Sequence, residues 1–393
     1  MKFLVLGAGA QGSACAFDLL QRPEVDGVVL ADLDVNEPKA FLKPFLGGVL
    51  DLLTLDATDD VAVRGAMEKV DGVASALPYY FNLDMTRLAI ESKSNFCDLG
   101  GNTEIVDRQR EMTVEAQEQH VSVVPDCGLA PGMVNILAQG GIDALDKTES
   151  VKIYVGGLPQ FPEPPLNYQL VYSLEGVLDY YTTPVLVLED GKVIHKEPLT
   201  GLEAIEFDGL GELEAFLTAG GISRMPYRYR GLIPSMSYKT LRYPGHCELM
   251  KSMKNLGLMD TSPVEIRGKS VVPRDLLIKI LDTELRKPLG EDLVVMRVVI
   301  SGILEGMPRT VTYEMVDYYD QDQGITAMMR TTGYSLAATA YMQSAGLIPR
   351  GAHTPSECVP TEMYIQQLAD RGDSDQALGE LGSRIAGPLC DSV

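Results

Sequence analysis

Over the first third of the chain, short apolar runs alternate with stretches whose apolar positions recur every three or four residues. Runs at 2–6, 28–31, 49–55, 72–76, 95–99 and 121–124 predict buried strands. The intervening segments 10–20, 37–45, 59–70, 82–92 and 103–119 predict helices, 37–45 being the weaker pattern. Strand and helix in such regular alternation imply right-handed crossovers and a parallel sheet. After Asp126 the rhythm changes. A helix is expected from near Pro131 towards Leu145. Strand-like segments then follow at 151–155, 186–188, 193–195, 264–268, 294–304 and 310–316, interrupted by helical patterns at 212–218 and 273–285. From Gly324 the chain reads as helical again, at 327–344 and 361–369, and from about Gly372 the end reads as loosely ordered.

This pattern predicts an α/β Rossmann domain with a doubly wound parallel sheet, built from residues 1–130 and 325–393. Residues 131–324 are expected to form an inserted α+β domain with a largely antiparallel sheet that binds substrate and carries the subunit contact. A chain of 393 residues suits two domains better than one core.

The first predicted strand runs into Gly7-Ala8-Gly9-Ala10-Gln11-Gly12, which is G-x-G-x-x-G at the opening of a helix. Gly7 suits the tight turn, Gly9 lets the backbone approach a pyrophosphate, and Gly12 allows close helix–strand packing. Amides at the start of the helix favour phosphate oxygens. Asp32 closes the second strand, where a carboxylate accepts hydrogen bonds from ribose hydroxyls and repels a 2'-phosphate, so the expected cofactor is NAD. Asp56 ends the third strand and is a candidate near the adenine, while Asp59 is a candidate cap for the next helix. Leu77 and Pro78 after the fourth strand, and Gly100 and Gly101 after the fifth, fall at the carboxyl edge where open sheets bind ligands. Ordinary turns have the same composition.

The net charge of −22 argues against binding to nucleic acid phosphates, which would need a basic face. No apolar run approaches the roughly 20 residues that cross a bilayer, and a cytoplasmic enzyme is the simplest expectation. The six cysteines form no C-x-x-C pair and only four histidines are present, so packed free thiols and no metal site are expected.

With these loops identified, the chain resembles the saccharopine dehydrogenase-like family, and within it the lysine 6-dehydrogenase-like branch. The pieces that carry the resemblance are GAGAQG (7–12), LDATD (55–59), CDLGGN (97–102), PDCGLAPG (125–132), GGLP (156–159), SLEGVLDYY (173–181), YKTLRYPGH (238–246) and GITAMMRTTG (324–333). The resemblance implies NAD-dependent oxidative deamination of a side-chain amine, L-lysine going to 2-aminoadipate 6-semialdehyde and ammonia. It also implies an amino acid or amine as the small-molecule partner, and a homodimer is the expected assembly. One departure is Tyr180, which stands where that branch carries an acid.

Oxidising an amine needs a neutral nitrogen, and a lysine amine titrates near ~10.4 in water, so a base or a desolvating pocket has to remove its proton. His246 is the first candidate for that base, and a satisfied structural histidine is its alternative. Asp126 is placed to orient the amine or shuttle its proton, or else to cap the helix after Pro131. Tyr79 is a candidate proton donor or a packed aromatic. Glu175 is a candidate partner for the α-ammonium or a solvated strand-end charge, and Lys239 and Arg242 are candidates for the α-carboxylate. Arg224, Arg228 and Arg230 read as basic residues on a solvated strand. Two other functions fit the same motifs: a reductive condensation of an amine with a carbonyl compound, of the saccharopine or carboxynorspermidine type, and a non-enzymatic NAD-binding regulator.

Overall fold

The computed structural model describes residues 1–170, 173–285 and 290–369 and the backbone of 382–386. Apart from that last strand, the tail beyond Gly372 lies outside the described residues.

The chain opens with β1 (Lys2–Leu6), α1 (Ala10–Leu20), β2 (Gly27–Asp32), β3 (Leu50–Thr54), α2 (Asp60–Met67), β4 (Gly72–Ser75) and α3 (Asn82–Glu91). It continues with β5 (Asn95–Asp98), α4 (Thr103–Glu111), α5 (Thr113–Glu118), β6 (Ser122–Val124) and α6 (Met133–Asp143). The middle third holds β7 (Lys147–Pro159), α7 (Leu174–Thr182), β8 (Val185–Glu189), β9 (Lys192–Lys196), β10 (Glu203–Phe207), β11 (Gly211–Leu217) and the single turn α8 (Met225–Arg228). Then come β12 (Ser235–Arg242), α9 (His246–Asn255), β13 (Val264–Ile266), β14 (Lys269–Val271), α10 (Pro273–Leu285), β15 (Asp292–Leu304) and β16 (Met307–Tyr318). The chain closes with α11 (Ala327–Ser344), β17 (Gly351–Ala352), α12 (Pro355–Cys358), α13 (Thr361–Ala369) and β18 (Gly382–Ala386).

Two compact units result. The first takes Met1–Ala144, the return segment from Asp320, and a three-residue excursion, Ser223–Met225. Its sheet is parallel throughout, in the order β17-β6-β5-β4-β1-β2-β3. That is the doubly wound dinucleotide-binding order with one added edge strand. The central strand β1 buries four of its five residues, as a strand covered on both faces must. Leu4, Leu6, Val63, Met67, Met85, Leu88 and Phe96 form the core on one side of the sheet. Helix α11 is buried almost all round and packs beside α1. At the crossing Gly333 removes the side chain, since a Cβ there would stand 2.7 Å from Ala14 Cβ and 2.8 Å from Gln11 O.

The second unit takes Leu145–Ile222 and Pro226–Tyr319 and includes β18. Its main sheet runs β10-β11-β12-β7-β15-β16-β18, with β8 attached at β12 and β9 paired to β8. Pairing is antiparallel except between β12 and β7.

Several boundaries differ from the sequence reading. Residues 131–144, expected in the inserted domain, cluster with the first unit, because α6 packs against α12 and α13. The tail expected in the first domain instead supplies β18, which pairs with β16 of the second unit. The segment 212–218, expected to be helical, is strand β11; its helix-forming Glu, Leu and Ala residues are overridden by partners on both sides, β10 and β12. The single helix expected at 103–119 is two, broken at Met112. The weak helix at 37–45 is a 3₁₀ turn, Ala40–Phe45, containing Pro44.

Candidate functional site

The glycine loop lies where β1 meets α1. Gly7 has φ +96° and a Cβ on it would lie 3.1 Å from Ala76 C and O, so the loop runs against the end of β4. A Cβ on Gly12 would stand 1.8 Å from Gly7 O, so only glycine fits. Gly9 is different: nothing lies within 4 Å of its would-be Cβ. It opens α1 with no side-chain cap and no acid in the first turn, which leaves amides exposed where a phosphate would sit. Ala10 and Gln11 form that first turn, and Gln11 Oε1 is buried without a hydrogen-bond partner. Asp32 closes β2 and one of its oxygens, Oδ2, accepts from the Ala8 amide at 2.6 Å. The glycine loop thereby fixes the carboxylate, leaving Oδ1 for a further donor. Open space at Gly9, bare amides, an orphaned acceptor and a fixed acid together fit a dinucleotide.

Of the other residues expected around the cofactor, Asp56 is exposed and builds a turn. It accepts from the Thr58 amide and hydroxyl at 2.8 and 2.7 Å, which lowers its pKa. Asp59 caps α2 through Val61 N and Ala62 N. Leu77 is half-buried and Pro78 exposed after β4. Tyr79 follows in a short 3₁₀ turn, 40% exposed, its ring against Tyr80; a Cβ on Gly101 would lie 3.5 Å from Tyr79 Cβ.

The carboxyl ends of β5 and β6 bring together two buried acids. Asp98 accepts from Gln109 Nε2 at 2.6 Å and from Gly100 N at 2.7 Å, and burial raises its pKa to about 6. Asp126 has φ +62° and is 3% exposed. Burial first, with Asp98 and Asp107 adding to it, raises Asp126 to about 7, against the opposing hydrogen bonds from Ser223 and Gly101. Gly100, at φ +69°, lies directly over this carboxyl: a Cβ would stand 1.7 Å from Oδ1. Ser223 Oγ donates to Asp126 Oδ2. Asp126 is not the cap of α6, whose N-cap is Gly132 with Asn135 Oδ1 accepting the Gly132 amide at 2.7 Å. Beside it lies a cavity with room for about one water, lined by Asp126, Asn135, Ser223, Arg224, Thr354 and Ser356. Arg224, read above as a solvated cation, pairs with Asp107 at 2.6 Å.

Residues 3–124 match the saccharopine dehydrogenase NADP binding domain, and residues 128–373 match the saccharopine dehydrogenase C-terminal domain. The chain belongs to the saccharopine dehydrogenase family. Among relatives, saccharopine dehydrogenase (NADP(+), L-glutamate-forming) of Saccharomyces cerevisiae is 26% identical over 302 residues, 74% of this chain and 65% of that protein. The mitochondrial alpha-aminoadipic semialdehyde synthase of Mus musculus is 25% identical over 277 residues, 66% of this chain and 28% of that protein. The matches thus span less than two thirds of these relatives' lengths. The apo saccharopine dehydrogenase (L-Glu forming) of S. cerevisiae has the same fold, with a TM-score of 0.79 at 20% identity over 98% of this chain and 100% of that one. So has homospermidine synthase of Legionella pneumophila, solved with NAD, with a TM-score of 0.66 at 12% identity over 98% and 91% of the two chains.

In the second unit, the residues this family resemblance nominated occupy three separate settings. His246 starts α9 and is 2% exposed. Its Nδ1 faces Leu166 O at 3.0 Å, which requires the proton on that nitrogen, and Nε2 then accepts from Tyr181 OH at 3.0 Å. Tyr168, Tyr181 and Phe216 surround the ring. Burial, with Arg242 adding to it, pushes the imidazole down to about 3. This is a satisfied core histidine, and both nitrogens are engaged where a general base needs one free. Arg242 is buried beside it, its guanidinium 4.8 Å from the Tyr168 ring centre and donating to Leu241 O at 2.8 Å. Lys239 is tied to Glu203 and to Gly201 O, at 2.6 and 2.5 Å. Glu175 lies exposed in the first turn of α7 rather than at a strand end. Tyr180 on the same helix packs over Gly220, where a Cβ would come within 2.6 Å of the ring. Glu214 of β11, which no motif singled out, caps α9 by accepting from the Gly245 and Cys247 amides.

Proposed function

We propose that this chain is an NAD-dependent oxidoreductase that deaminates a side-chain amine, with L-lysine going to 2-aminoadipate 6-semialdehyde. The observation that carries the cofactor choice is Asp32, held by the Ala8 amide at the tip of β2. A carboxylate fixed there accepts from a ribose diol and repels a 2'-phosphate. The family model is described as NADP-binding, and this residue is the reason to expect the other cofactor here. NAD, held by the glycine loop and Asp32, would supply the hydride acceptor for oxidation of the carbon that bears the amine.

Asp126 supplies the proton chemistry in this reading. Open α/β sheets bind ligands outside the carboxyl ends of their strands, and Asp126 follows β6 there, under the Gly100–Gly101 loop. A carboxyl poised near neutrality is ionised at mildly alkaline pH and takes up the ammonium proton at its own oxygen. Water adds to the imine carbon left by hydride loss and supplies the aldehyde oxygen; as the carbon–nitrogen bond then breaks, the same carboxyl, once protonated, donates to the departing ammonia. His246 has no part in this, because its nitrogens are engaged inside the second unit's core.

Calorimetry on cofactor-stripped protein tests the first half: NAD is expected to bind at least about tenfold more tightly than NADP, the equivalent of one hydrogen bond to a charged group. NADH formation from L-lysine at alkaline pH tests the second, and no NADH across a panel of amino acids and polyamines would reject it. The relatives' names support a second reading, reductive joining of an amine to a carbonyl compound. NADH consumption that needs both an amine and a carbonyl acid would select it. We also propose a homodimer, which light scattering on the purified chain checks.

A further inference from the structure

Asp126 and Ser223 face one another and both are non-glycine residues in the left-handed region, at φ +62° and +49°. Side-chain-bearing residues hold that conformation in a buried site only when their surroundings over-determine it. Here the surroundings are explicit. Ser223 belongs to the tripeptide that returns to the first unit from the middle of the second unit's sequence. Its neighbours anchor it: Arg224 by the ion pair to Asp107, and Met225 by a hydrogen bond from Asn135 Nδ2 to its sulfur at 3.4 Å. On the other side of the carboxyl, Gly100 closes over Oδ1 and Asp98 Oδ1 accepts from the Asp126 amide at 3.4 Å.

We propose that Ser223 is a positioning residue for the reaction, its hydroxyl holding Asp126 Oδ2 so that the carboxyl keeps one orientation with Oδ1 against the Gly100–Gly101 loop. The proposal rests on the reading of Asp126 as the acid–base group. The charged groups around Asp126 come from three places: Asp98 at the end of β5, Asp107 on α4, and Arg224 of the tripeptide, which Asp107 neutralises. Burial first, and then the two acids, oppose ionisation of Asp126, while the Ser223 hydroxyl and the Gly101 amide favour it. Ser223 therefore acts both on where the carboxyl points and on the pH at which it works.

The test uses the full chain and the variants S223A, S223G and S223C. Alanine and glycine both delete the hydroxyl but act oppositely on the backbone, since glycine accepts positive φ freely and alanine does not. Infrared titration reads Asp126 directly, with its carboxyl band assigned by loss in D126N, and steady-state rates with NAD and L-lysine give the pH profile. S223A and S223G are expected to raise the Asp126 titration and the acid limb of the kcat profile together, by about one pH unit. S223C, a weaker donor, should fall between them and the parent chain. An unmoved band in S223G overturns the role of the hydroxyl, and glycine keeps this outcome readable even if S223A fails to fold. A band that moves while the kcat profile does not overturns the acid–base reading of Asp126, and with it any part for Ser223 in the chemistry.

Discussion

Two glycines of one loop separate folding from binding. A methyl on Gly12 would meet Gly7 O at 1.8 Å, whereas a methyl on Gly9 would meet nothing. G12A is therefore expected to lose about 1–3 kcal/mol of stability by overpacking and to bind no NAD. G9A should melt like the parent chain while losing affinity, because its methyl occupies the space of the pyrophosphate. Melting curves alongside calorimetry distinguish the two. Asp126 carries a pH prediction. An unfolded carboxyl titrates near 3.8 and the folded one at about 7, so its contribution to stability is full below pH 3.8 and is lost as pH rises through 7. D126N should therefore differ least from the parent at pH 3.8 and below, and melt increasingly higher than it as pH rises to 8, while losing activity. His246 acts in the opposite direction, full above 6.5 and lost as pH falls towards 3. At this scale the sequence showed the glycine loop and Asp32 because their spacing is itself the mechanism. It misled at His246, since the rings that enclose it come from α7, β11 and the segment before α7. It was silent on Ser223, which lies 97 residues from its partner in the middle of another unit's sequence.

Elements tell a similar story. Helices α1, α10, α11 and α13 and six of the seven strands of the opening sheet, all but β17, were legible because one face or one run of each is buried and periodicity records burial. Strand β11 was not, because Glu212-Leu213-Glu214-Ala215 is built from helix formers, and only pairing on both sides, with β10 and β12, overrides that propensity. Helices α7 and α9 were missed because each was read as motif rather than as pattern. The α1–α11 crossing gives the prediction at this scale. Gly333→Ala would drive a methyl to 2.7 Å from Ala14 and 2.8 Å from the backbone of Gln11. The expected result is a loss of about 1–3 kcal/mol in denaturant unfolding. NAD affinity should weaken as well, because the displaced turn of α1 is the one that presents the phosphate amides. Unchanged affinity in a destabilised G333A would mean that α11 supports the sheet without shaping the loop.

For the whole molecule, a ligand that binds only the folded chain stabilises it by mass action, about 2.7 kcal/mol at a hundredfold excess over Kd. Melting temperature should therefore climb with NAD and far less with the same concentration of NADP, a comparison that needs no substrate. The two-part architecture was legible from the change of rhythm after Asp126, but its seams were not, because α6, β18 and the tripeptide Ser223–Met225 each join a unit through contacts made far along the chain. That tripeptide bears on how the protein can be taken apart. Splicing residue 144 to residue 320 would preserve every strand of the parallel sheet, and such a miniature would look complete on a topology diagram. It would nonetheless lack the plug over Asp126, Asp107 and Asn135, and water admitted there would return Asp126 to the range of an ordinary surface acid. A working miniature of the cofactor unit has to bring its own serine, arginine and methionine, grafted from sequence that otherwise builds the other half.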